Sequence, residues 1–148
     1  MGAQAYDGAM LLADTSVWTN IRKKAAPLDS LEEFLAAITN GQIRTSPVVR
    51  LEMTWGARTV DEATRKAHAL TTVVECPLTP NIIDRAIAAL DKMVGQLPDP
   101  PRVPIPDALI AATAQAHGLG VLHYDKHFEQ LAAGFGIPAR WVTPRGTI

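Results

Sequence analysis

The chain has 148 residues, of which 47% are hydrophobic and 20% charged, a composition that suits a single globular domain with a proper core and excludes a disordered chain. Formal net charge is −1, so no global basic field marks it for nucleic acid, and one cysteine, Cys76, can build neither an internal disulfide nor a cysteine-based zinc site. No apolar run approaches the roughly 20 residues of a membrane span, and Met1–Ala9 lacks the pattern of a secretory signal, so the expectation is a soluble cytoplasmic protein.

Residues 1–9 read as a loose leader, and residues 10–148 as one domain. Met10 to Ala13 is a short apolar run stopped by Asp14-Thr15-Ser16, which predicts a buried strand ending at a polar turn. Val17, Trp18 and Ile21 predict a short helix before the basic cluster Arg22-Lys23-Lys24. Ser30-Leu31-Glu32-Glu33 has the spacing of a capping box and opens a helix that Asn40-Gly41 closes. Gln42 to Thr45 predicts a brief strand, and Ser46-Pro47 caps the helix after it. In that helix Val48, Leu51, Glu52 and Trp55 share one stripe, which predicts a core-facing side carrying an acid.

A more polar helix follows over 59–70, then a β-branched strand over Thr71 to Cys76, then a long amphipathic helix from Thr79-Pro80 to Gly95. Gln96 to Pro106 holds five of the eleven prolines and must be irregular. It delivers Asp107 into the first turn of a helix where Asp107, Ile110, Ala111 and Ala114 share a face. Val121 to Tyr124 predicts a strand ending at Asp125, Lys126 to Ala133 a helix, and Arg140 to Val142 a last strand. Alternating strands and helices of this length indicate an α/β fold with a short, mainly parallel central sheet flanked by helices.

Four acids stand out within this frame. Asp14 and Asp125 each follow a short apolar strand and precede a helix, which puts them at the strand ends where parallel sheets form their sites. Glu52 and Asp107 lie on inward stripes of helices able to pack beside that edge. A first-turn acid that only answers a helix dipole, or a glutamate reaching solvent, is the ordinary alternative for each taken alone. Four converging carboxylates repel unless cations are present, and hard oxygen ligands suit Mg²⁺ or Mn²⁺. Such ions can activate water and stabilise the leaving oxygen of a phosphodiester.

The four histidines show no HExxH-type spacing, so zinc is not expected, although His127 is placed to orient water or phosphate near Asp125. Arg22, Lys23 and Lys24 are candidates for phosphate contacts or for an ordinary solvated corner. Trp18 and Trp55 suit core or dimer surface better than base stacking.

Leu12-Ala13-Asp14-Thr15-Ser16-Val17-Trp18 resembles the opening motif of the PIN-domain ribonucleases. Val49-Arg50-Leu51-Glu52, Pro106-Asp107-Ala108-Leu109-Ile110-Ala111-Ala112 and Leu122-His123-Tyr124-Asp125-Lys126-His127-Phe128 resemble the second, third and fourth. The match runs from about Met10 to Val142 with order and spacing kept, and in size the chain is similar to the VapC toxins of bacterial type II toxin–antitoxin modules. The resemblance implies a Mg²⁺- or Mn²⁺-dependent endoribonuclease, dimeric and silenced by a VapB-type antitoxin protein. It implies Asp14, Glu52, Asp107 and Asp125 as the catalytic and metal-holding quartet, with Thr15 or Ser16 supporting it through a hydroxyl. On that reading the expected substrate is a structured RNA cut in a single-stranded loop, where an unstacked backbone can be presented. Many relatives have a further acid two residues after the fourth Asp, where this chain has His127, so one metal ion is expected and a second is left open. Two other readings remain: a response-regulator-like Mg²⁺-binding signalling domain, which would want paired acids after the first strand and a closing lysine, and a PIN-like module that only binds a partner.

Overall fold

The computed structural model describes residues 4–96 and 102–148. The expected loop Gln96 to Pro106 therefore lies partly outside the described residues, as do Met1 to Ala3 of the expected leader. Five short strands form the centre: β1 (Leu11–Ala13), β2 (Ile43–Thr45), β3 (Val74–Glu75), β4 (Gly120–His123) and β5 (Ala139–Trp141). All pairings are parallel and the order is β3-β2-β1-β4-β5. Among the described residues seven α-helices connect and flank them: α1 (Thr15–Asn20), α2 (Leu28–Thr39), α3 (Pro47–Trp55), α4 (Val60–Ala69), α5 (Pro80–Gln96), α6 (Ile105–Ala116) and α7 (His127–Phe135). None of the described helices is long and apolar enough to cross a membrane.

Strand order reverses between β1 and β4, since β1 leads outward to β2 and β3 while β4 leads outward to β5. A crevice at the carboxyl ends of the strands is expected at such a reversal. Leu12, Ala13, Val121 and Leu122 at the sheet centre are fully buried, as the apolar run of a strand covered on both faces requires. Trp18 packs edge-on against Phe34, ring centroids 5.1 Å apart, and belongs to the core.

The leader is not loose where it is described. Ala5 and Tyr6 are buried, and the Gln42 side-chain amide donates to the carbonyl oxygens of Ala5 at 2.7 Å and Ala9 at 3.0 Å. Arg140 pairs with Asp7 at 3.1 Å and lies over the Tyr6 ring. Tyr6 and Asp7 both take left-handed backbone angles in this turn. One buried aromatic and two amide hydrogen bonds hold the segment down, which a composition argument over nine residues does not see.

Several boundaries also moved, among them the following. α2 starts at Leu28 behind Pro27 with no side-chain cap, so Ser30 sits inside the first turn and not at its start. β3 shrinks to two residues because Val73 closes a turn on Leu70, while Cys76 continues the ladder by donating to Thr45 O at 2.8 Å. Gly95 does not end α5, which runs through Gln96. The expected Ser46 cap is present, accepting from Val49 N, and Thr59 caps α4 in the same way by accepting from Glu62 N.

Candidate metal centre

Asp14 leaves the end of β1 as the ladder to β4 closes, with its own N–H donating to Leu122 O at 2.9 Å. It is the N-cap of α1: Oδ2 accepts from Ser16 N at 3.0 Å, while Oδ1 is buried with no partner. Capping and site-building thus use different oxygens of one carboxylate. Asp107, in the first turn of α6, is 6% exposed, and its Oδ2 is likewise buried without a partner. Glu52 enters from α3 and is held by the Thr15 hydroxyl, which donates to Oε1 at 2.8 Å. Carboxylate oxygens of Asp14, Glu52 and Asp107 lie within 4.8 Å of one another.

Asp125, after β4, joins this cluster through Asp107. Asp107, Asp125 and His127 each present one atom to a second group within 4.8 Å. Asp125 Oδ1 accepts from His127 N at 3.0 Å, which fixes the carboxylate at the mouth of α7. The structure therefore brings all four sequence-predicted acids together, in two overlapping groups with Asp107 common to both.

Electrostatics follow from this crowding. Burial raises the Asp107 carboxyl to about 8, with Asp14, Asp125 and Glu52 adding to the rise. Asp14 is raised to about 6, mainly by burial, against the lowering effect of its hydrogen bonds from Ser16. Two buried carboxyl groups with unpartnered oxygens, each raised by its neighbours' charge, form a donor set that a hard divalent cation would satisfy. The residues fit such an ion.

Thr15 and Ser16 split the supporting role. Thr15 orients Glu52, whereas Ser16 Oγ accepts from Tyr124 N at 2.8 Å and ties the start of α1 to the end of β4. Beside the acids, Arg102, Lys126, His127, Glu129, Gln130 and Arg145 line a cleft of about 370 Å³. Its basic members escaped the sequence reading, since Lys126 and Arg145 meet only once β4 and β5 pair. Lys126 directly after Asp125 was the one available signal. On another side, Arg22 joins Arg65 and Lys66 around Trp18 and Met53.

Comparison with known proteins gives consistent results. The model of the PIN domain family matches residues 11–134. Ribonuclease VapC18 of Mycobacterium tuberculosis is 32% identical over 91% of this chain and 96% of its own length. Ribonuclease VapC51 of the same organism is 34% identical over 93% and 96%. Among solved structures, DNA-bound VapBC from Salmonella typhimurium matches with a TM-score of 0.72 at 16% identity, over 91% of this chain and 99% of that one. VapBC2 from Rickettsia felis, bound to a promoter DNA fragment, matches at 0.71 and 15%, over 88% and 97%. These two structural likenesses concern the fold.

Proposed function

The chain belongs to the PIN domain family, and on that premise we propose that it is a metal-dependent endoribonuclease and the toxin of a toxin–antitoxin pair. The observation that carries this reading is the convergence of Asp14, Glu52 and Asp107, two of them buried with an unpartnered oxygen, at the reversal of a parallel sheet. Asp14, Glu52, Asp107 and Asp125 would hold Mg²⁺ or Mn²⁺. When bound there, the ion supplies positive charge for a phosphodiester's developing negative charge and lowers the pKa of water.

The protein's own residues do the positioning. Ser16 N–H fixes one Asp14 oxygen and leaves the other free. Thr15 holds Glu52 in the cluster, and the α7 backbone holds Asp125. Lys126, Arg145 and Arg102 offer phosphate contacts beside the acids. Contacts of this kind supply sequence-independent affinity, so local basic flanks serve a chain whose net charge is only −1. A cluster of acids beside a cleft carrying cationic side chains suits an unstacked backbone that can be presented to both, which supports cleavage in a single-stranded loop of a structured RNA.

The solved structures of similar fold include VapBC complexes, which supports a VapB-type antitoxin as protein partner. A protein partner also accounts for Trp55, 91% exposed, beside Leu51, 66% exposed, on one face of α3. Homodimerisation belongs to the same proposal. No observation favours the response-regulator-like alternative, as Asp14 is followed by Thr15 and not by a second acid.

The test is cleavage of RNA by purified, antitoxin-free protein in Mg²⁺, Mn²⁺ or EDTA, with the D107N variant in parallel. Metal-dependent cleavage that a folded D107N lacks is the expected result. Cleavage in EDTA, or equal cleavage by the variant, would overturn the reading.

A further inference from the structure

We propose that His127 is a metal ligand, and that its Nδ1, with Asp107 and Asp125, forms a second cation position that takes Mn²⁺ in preference to Mg²⁺. This inference rests on the metal-dependent reading above and deepens it. It starts from the imidazole of His127, two residues after Asp125 and beside two of the acids.

His127 is the first residue of α7. Its Nδ1 lies 2.9 Å from Asp125 Oδ1 and 3.9 Å from Asp107 Oδ2. Nevertheless Nδ1 is a buried atom with no hydrogen-bond partner, so the close approach to Asp125 is not aligned as a hydrogen bond. Asp107 Oδ2 is in the same condition, on a side chain only 9% exposed. Three ligand atoms from two residue types therefore face one another within 4.8 Å, two of them unpartnered. Buried polar atoms are normally satisfied, and exceptions at a site point to an absent ion or water. A cation among the three atoms satisfies both orphans at once.

The chemistry of the set gives the preference. Mg²⁺ favours oxygen donors in near-ideal octahedral geometry and gives up water reluctantly. An imidazole beside two carboxylates adds a softer nitrogen, which suits transition ions better than Mg²⁺, and Mn²⁺ is the transition ion that carboxylate oxygens also suit. Asp107 is shared by both positions, so the all-carboxylate position of Asp14, Glu52 and Asp107 stays open to either ion. The competing account is an imidazolium that merely pairs with the two carboxylates, and it predicts no loss of bound metal when His127 is removed.

The experiment uses the full chain, stripped by chelator, titrated with Mn²⁺ by electron paramagnetic resonance and then competed with Mg²⁺. Two Mn²⁺ per chain are expected, only one readily displaced by Mg²⁺, with nitrogen modulation from a bound imidazole. H127A should bind one Mn²⁺, the second weakened at least about tenfold, and lose the nitrogen signal. H127D should restore the second position while admitting Mg²⁺ to it. Two Mn²⁺ retained by H127A with unchanged affinity, or no nitrogen signal in the unaltered protein, would overturn the assignment of His127. An unaltered protein that binds no divalent ion would overturn the metal-dependent reading itself, whereas one tightly bound Mn²⁺ in H127A shows that reading intact.

Discussion

Helices α3 and α6 each deliver one acid to the same cluster, and they do so under opposite conditions. α6 lies against β1, β4, α3, α5 and α7, and buries Asp107, Ala108, Ile110, Ala111, Ala112, Thr113 and Ala114. Its acid is held inside the protein by packing on almost every side. α3 sits toward the rim and buries only Val48, Val49 and Met53, leaving Leu51 and Trp55 to solvent. Its acid is half-buried and depends on one hydrogen bond from Thr15. The contrast separates a carboxylate fixed by the core from one fixed by a neighbour, and the two should answer differently to the same kinds of substitution.

The largest expected effect is on catalysis at the packed end. D107N keeps the side chain's shape, removes a charge, and should lower RNA cleavage about a hundredfold or more, measured under single-turnover conditions in Mg²⁺. Next comes packing itself. Ile110→Ala on α6 should cost about 2–5 kcal/mol in denaturant unfolding, whereas Leu51→Ala on α3 should stay within about 0.5 kcal/mol. Similar costs for both would erase the distinction between the helices.

A smaller effect separates the acids by support. Thr15→Val removes the donor to Glu52 and should weaken Mg²⁺ binding about tenfold, read by calorimetry, while leaving the Asp107 surroundings intact. Acidity sharpens the comparison further. In the folded protein without metal Asp107 is raised to about 8, against an ordinary value of 3.8. Between those values the unfolded chain holds fewer protons at this residue than the folded one, so its contribution to stability falls as pH rises. In EDTA the melting temperature should therefore climb when pH is lowered from 8 toward 6, and D107N should lose much of that slope. A flat profile shared by both proteins would mean that Asp107 is better solvated than its burial indicates.

The same contrast explains what the sequence disclosed. Along α6 nearly every position is apolar or small, so burial of most of the helix could be read from residues 105–116, while the acid riding on it stood out only beside the other three. The strand–acid–helix junctions at Asp14 and Asp125 were equally plain, because a short apolar run that stops at a polar turn has few other uses in a parallel sheet. Along α3 the stripe Val48, Leu51, Glu52 and Trp55 was read as core-facing on the strength of spacing alone. The helix buries the neighbouring stripe instead, since Val49 and Met53 point inward with Val48. Amphipathic spacing identifies an apolar face without saying whether the covering surface belongs to the same chain. Lys126 and Arg145, 19 positions apart, become neighbours only through strand pairing that no local pattern encodes.

The exposed face of α3 gives the smallest expected change in the isolated protein. Trp55→Ala removes a large side chain that is 91% exposed, so folding stability should shift by no more than about 0.5 kcal/mol and Mg²⁺ binding should not move. If the face is kept apolar for a protein partner, the cost must fall elsewhere, because aromatic anchors at interface centres are where truncation costs about 2 kcal/mol or more. Sedimentation of the protein alone and titration with the proposed antitoxin would locate that cost in self-association or in antitoxin binding. A W55A protein unchanged in both would leave the tryptophan without a partner role, and would return α3 to a helix whose one contribution is Glu52.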